Sequence, residues 1–191
     1  MKTNATFKLL SGVLVALVSA FILGAAVAPA AQAKSSCGSV NKSPQEIRGK
    51  QAKKSVLCLV NAERKSHGLG KLRRDGRLER AAKGHNRVMV RKNCFSHQCG
   101  GEKDLAGRLS SSGYLGGKLR RWAYGENIAW GTGDLGTPRK IVSAWMHSPP
   151  HRAAILSRSY KEAGIGFHSK VPSKSGASGG TYTIDFGLRQ K

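Results

Sequence analysis

The feature that most constrains this chain is at its start. Residues 9–28 carry no charge, Lys2 and Lys8 precede them, and Ala31-Gln32-Ala33 follows with a small-residue cleavage site. That is the pattern of an export signal, so residues 1–33 are expected to be removed, leaving no stable membrane anchor. An uncleaved run of this length would also span a bilayer, but the A-x-A site favours cleavage. What remains is 158 of the 191 residues, one domain's worth of chain. A secreted or cell-envelope location is oxidising, so the four cysteines read as two disulfides. Three pairings are open. Cys94–Cys99, closing a short loop, and Cys37–Cys58, tying the new N-terminus to the first helix, are expected. The rival use is zinc, with Cys94, His97 and Cys99 as ligands, and an oxidising compartment favours the disulfide.

Charge narrows the partners. The chain has 33 Lys and Arg against 10 Asp and Glu, and the net charge falls from +23 to +21 when Lys2 and Lys8 leave with the signal. Such a balance attracts anionic envelope components, including lipid headgroups, and also serves simple solubility. Nucleic acid is not expected, because the chain is exported, its cations are scattered and no nucleic-acid motif is present. A monomer is expected.

Residues 34–52 are polar and basic, with Pro44, and read as a lead-in arm. The domain is expected from 53 to 191. Residues 53–67 predict a helix through Val56, Leu59 and Val60, ended by Gly68 and Gly70. Residues 77–91 predict the clearest helix, with Leu78, Ala81, Ala82, His85, Val88 and Met89 on one face. His85 is therefore expected inside, satisfied by a carbonyl or a side chain rather than acting as a ligand. Residues 93–101 form a loop that pins His97, and residues 104–109 a short helix. Thr137-Pro138 opens another helix that must stop before Pro149-Pro150. Ser148 is placed to cap the next helix, with His151 in its first turn. His147 and His151 thus cannot share one helical face, and the dipole at His151 favours its neutral form. Residues 163–167 alternate with glycine, predicting a strand with one bare face. Residues 181–186 alternate as well, with Tyr182, Ile184 and Phe186 to one side and Thr181, Thr183 and Asp185 to the other. Helices with a terminal strand pair predict an α+β layered domain.

The chemistry concentrates at residues 124–131, where Glu126 lies among Gly125, Ile128, Ala129, Trp130 and Gly131. The glycines permit tight turns and close approach. A carboxylate in such company requires a partner: a histidine, a cation or backbone N–H groups.

Several segments then occur in order: L-C-L-V-N-A-E-R-K at 57–65, F-S-H at 95–97, G-E-N-I-A at 125–129, W-M-H-S-P-P-H-R-A-A-I-L at 145–156, G-I-G-F at 164–167 and T-Y-T-I-D-F-G at 181–187. Together they resemble bacterial CAP-domain proteins (the SCP-like extracellular domain), of the superfamily that includes cysteine-rich secretory and plant pathogenesis-related proteins. The resemblance implies a three-layer α/β/α sandwich with a central antiparallel sheet and a cleft of two histidines and two acids able to hold a divalent cation. His97 and Glu126 match two of those positions. The strand histidine of animal members is replaced by Thr181, with His151 as a stand-in and Asp185 as a second acid. Two functions follow as expectations. One is an exported module binding a lipid or envelope component. The other is a metal-assisted hydrolase, with His97, Glu126 and His151 as ligands of a metal such as zinc. Against the hydrolase, no H-E-x-x-H occurs.

Overall fold

The structure, a computed structural model, describes residues 37–173 and 177–191; the expected leader lies outside them. The elements run α1 (Gly49–Ser66), β1 (Arg73–Arg74), α2 (Gly76–Lys92), α3 (Leu105–Ser111), β2 (Arg121–Thr132), α4 (Pro138–His147), α5 (Pro149–Ile155), β3 (Glu162–Lys170) and β4 (Ser178–Gln190). The sheet order is β1-β3-β4-β2. Both long pairings are antiparallel, and the two-residue β1 adds a parallel edge beside β3.

The alternation of β4 explains the layers. Tyr182, Ile184 and Phe186 enter the main core with Val56, Leu59 and Val60 of α1 and Trp145 of α4. Thr181, Thr183 and Asp185 face α2. There Thr183 donates to Asn86 Oδ1 at 2.6 Å, and Asn86 donates to the Thr181 carbonyl at 3.1 Å. The bare face of β3 has a reason. A Cβ on Gly164 would sit 2.0 Å from the Glu79 nitrogen, and one on Gly166 would sit 2.5 Å from the Ala82 oxygen. α2 therefore lies with its backbone directly on the strand, closer than any side chain would allow. The result is a three-layer sandwich: α2 and α3, then the sheet, then α1, α4 and α5.

Asp75 caps α2, accepting from the Arg77 and Leu78 nitrogens, and Thr137 caps α4 ahead of Pro138. Ser148 sits at the N-cap of α5 but makes no side-chain capping bond. Pro150, at the second helical position, carries no N–H, which removes one of the two donors a capping hydroxyl uses. α1 starts at Gly49, earlier than its apolar stripe, and Val40 and Ile47 ahead of it are buried in the main core. Disulfides join Cys37 to Cys58 and Cys94 to Cys99.

Candidate functional site

Residues 124–131 are part of an extended strand, β2, and not a turn. Their glycines serve close approach instead. A Cβ on Gly125 would lie 2.4 Å from the Tyr160 hydroxyl, which donates to the Tyr124 carbonyl at 3.0 Å. Gly131 is likewise pressed against the backbone at Leu135. β2 places Glu126 on the α2 side of the sheet, directly opposite Asp185 of β4.

The Glu126 side chain is only 2% exposed and has the partners it requires. The loop closed by Cys94–Cys99 brings His97 to it, with Nδ1 2.8 Å from Oε1. The short helix α3 brings Arg108, whose guanidinium donates to Oε2 at 2.6 Å. Arg108 is itself fixed by donating to the His97 carbonyl at 2.8 Å and the Lys103 carbonyl at 3.2 Å. His85 stands 4.0 Å from Oε2, beyond hydrogen-bond reach, and its Nδ1 pairs with Glu102 at 2.9 Å. Burial raises the Glu126 pKa, but the hydrogen bond from His97 and the charges of Arg108 and His85 outweigh it. The carboxyl is held below its usual range and stays ionised at neutral pH.

Asp185 behaves oppositely. It is wholly buried, and no N–H or O–H of the described residues reaches either oxygen. Burial first, and then the charge of Glu126, push its pKa well above the usual carboxyl range. An ionised Asp185 would leave two acceptors facing a carboxylate; a protonated one donates to Glu126. Asp185 is thus a neutral acid behind an ionised one.

The other expected cleft residues make no bond to Glu126. Thr181 is buried, donating to the Lys170 carbonyl at 2.7 Å, and lies opposite Trp130 in register rather than Glu126. His151 is half-buried, and no hydrogen bond or ion pair of the described residues joins its ring to Glu126. Its pKa is lowered, as expected, but the leading cause is burial and then His97, not the helix dipole. His147 spans a different helix end and bonds its own Ser143 carbonyl at 2.7 Å. The set His97, Glu126 and His151 does not fit a metal. One Glu126 oxygen accepts from the Arg108 guanidinium, whose positive charge opposes a second cation beside it, and no three His, Cys, Asp or Glu side chains among the described residues converge as ligands. The Cys94, His97, Cys99 alternative fails because both thiols form the disulfide.

Arg108 and Glu102 are the functional residues that sequence reasoning missed. A signal existed: with only 10 acids in the chain, each acid beside an apolar stripe invites a search for its basic partner.

A family model described as the cysteine-rich secretory protein family, CAP, matches residues 57–184. The chain belongs to that family. This CAP protein is 35% identical over 114 residues to the uncharacterized protein YkwD of Bacillus subtilis strain 168, covering 60% of this chain and 41% of YkwD. It is 34% identical over 119 residues to the uncharacterized membrane protein YlbC of the same organism, covering 62% of this chain and 32% of YlbC. It therefore spans less than half of either relative. Among solved structures it is similar to an extracellular SCP-domain protein from Bacillus anthracis (TM-score 0.60, 24% identity, 76% of this chain and 42% of that one). It is also similar to an outer surface protein from Borrelia burgdorferi (TM-score 0.59, 21% identity, 75% of this chain and 97% of that one). These likenesses show the fold. No helix of the CAP domain among the described residues is long and apolar enough to cross a membrane.

Proposed function

We propose that this CAP protein is an exported binding module for an anionic lipid of the cell envelope. One observation carries the reading. A groove of about 600 Å³ between α1 and the β1–β3 edge has Leu57 and Ile165 on its floor and Lys50, Lys53, Lys54 and Arg74 on its rim. Its acid, Glu79, is paired with Lys53 and Arg74, the latter at 2.6 Å. Lys50 and Lys54 are left to meet an anionic headgroup, while the floor takes apolar chain. Metal-assisted hydrolysis has no comparable support, because one Glu126 oxygen accepts from the Arg108 guanidinium, whose positive charge opposes a second cation.

The test is cosedimentation with phosphatidylcholine vesicles, with and without phosphatidylglycerol. The full chain should bind the anionic vesicles and release them at high salt, as screened charges do. Lys50→Glu with Lys54→Glu should weaken binding by at least about tenfold, each cation near the surface contributing on the order of 1 kcal/mol. Equal binding by wild type and variant would sink the assignment.

A further inference from the structure

At the other edge of the sheet, β2 carries a row of side chains on its α2 face: Trp122, Tyr124, Glu126, Ile128 and Trp130. Ile128 is buried and Glu126 is bound in its cluster, but Trp122, Tyr124 and Trp130 are among the most exposed large apolar side chains of the described residues, Trp122 at 55%. Phe95 of the pinned loop joins Trp130 edge-to-face, with ring centroids 6.5 Å apart. A cavity of about 400 Å³ opens beside Trp122 and Tyr124, walled by Ala106, Leu115 and Leu119. Two aromatic platforms thus flank the exposed His97 ring. At about 3.4 Å per strand residue, Trp122 and Trp130 stand about 27 Å apart. Rings left in water at this density signal a ligand, since their burial is favourable and the fold forgoes it.

The occupant can be narrowed by chemistry. A peptide adding a strand to β2 is disfavoured, because the outward carbonyls of Tyr124 and Ile128 already accept from Tyr160 Oη and Trp145 Nε1. An acyl chain would need one continuous apolar trough, whereas a polar imidazole interrupts this row. A sugar chain suits it: each pyranose has an apolar C–H face for stacking and a hydroxyl rim for the polar centre. Lys118, Arg120 and Arg121 are exposed around Trp122, so the sugars should carry negative charge.

We infer that the β2 face is a binding site for an extended, carboxylate-bearing glycan strand, held by ring stacking at Trp122–Tyr124 and at Trp130–Phe95. This site is separate from the lipid groove, which lies at the opposite sheet edge.

The experiment is calorimetric titration of the full chain, disulfides formed, with a β-1,4-linked amino-sugar hexasaccharide bearing carboxylates and with its neutral counterpart. The charged sugar should bind in a salt-dependent way and the neutral one more weakly. Trp122→Ala and Trp130→Ala should each lose about tenfold. Both positions are exposed, and circular dichroism matching wild type verifies that each variant folds. Lys50→Glu with Lys54→Glu should leave sugar binding unchanged. Binding of the neutral sugar equal to the charged one would overturn the charge assignment. Unchanged affinity in both tryptophan variants, no binding of either sugar, or displacement of the sugar by anionic vesicles would overturn the site.

Discussion

Asp185 and Arg108 carry opposite risks inside the same cluster. Asp185 has a raised pKa in the fold, from burial and from Glu126. Below about pH 3.9, the ordinary value for aspartate, both folded and unfolded states hold the proton, and the residue does not affect stability. As pH rises above that, the unfolded chain releases the proton and the native one keeps it, so stability is lost through the window up to the raised native value. Asp185→Asn removes this term and keeps a donor for Glu126. Its free energy of unfolding in urea should exceed wild type at pH 7 by on the order of 1–3 kcal/mol, and the gain should vanish near pH 3.5. A gain independent of pH would show that Asp185 is not protonated in the native protein. Glu126 has the opposite sign: its lowered pKa contributes stability above about pH 4.3 that is lost as pH falls through the native value. His97 and Arg108 together allow that carboxylate to remain charged. Arg108→Ala leaves buried Glu126 without its cation and should cost about 3–5 kcal/mol in chemical denaturation. A cost below about 1 kcal/mol would mean that His97 and solvent suffice.

At the scale of elements, the helices and the last strand pair were legible because their apolar positions repeat with one period. Leu78 to Met89 keep a helical spacing, and Tyr182, Ile184 and Phe186 keep a strand spacing. β2 was not legible, although Trp122, Tyr124, Glu126, Ile128 and Trp130 do alternate. An acid interrupts the apolar row, and glycine, alanine and one asparagine fill the other face, so the stretch reads as tight turns around an odd carboxylate. The need of Glu126 for a partner could be read from burial cost, and His97 was found through its pinned loop. Arg108 was hidden because a short helix without a strong stripe does not reveal which way one guanidinium points. The glycines of β3 were legible as a bare face but not as a seat for α2. Gly164→Ala tests that seat. Its Cβ would meet the α2 backbone at 2.0 Å, where no flexible side chain can yield. α2 must lift from the sheet, and the loss should exceed about 3 kcal/mol, near the upper end of overpacking costs. Thermal melting near the wild-type temperature would show that α2 moves freely on the strand.

On the whole-molecule scale, the two disulfides act on different lengths of chain. Cys94 and Cys99 are 5 residues apart, and Cys37 and Cys58 are 21 apart. The longer loop has more conformational freedom to lose in the unfolded state. Removing Cys37–Cys58 by paired alanine substitutions should therefore cost about 3 kcal/mol, roughly 1 kcal/mol more than removing Cys94–Cys99. The consequences should also separate by place. Cys58 lies in the wall of the lysine-rimmed groove, and Cys37 belongs with Val40 and Ile47 to the segment packed on α1. Loss of that bridge should weaken vesicle binding along with stability. Cys94–Cys99 holds His97 and Phe95 at the far sheet edge, so its loss should spare vesicle binding while loosening the His97–Glu126 pair. Denaturation and vesicle cosedimentation on both double variants would check this. If the smaller loop proved the more stabilising, the chain-entropy account would fail here, and the weight of the bridge would rest on the native contacts around Glu126.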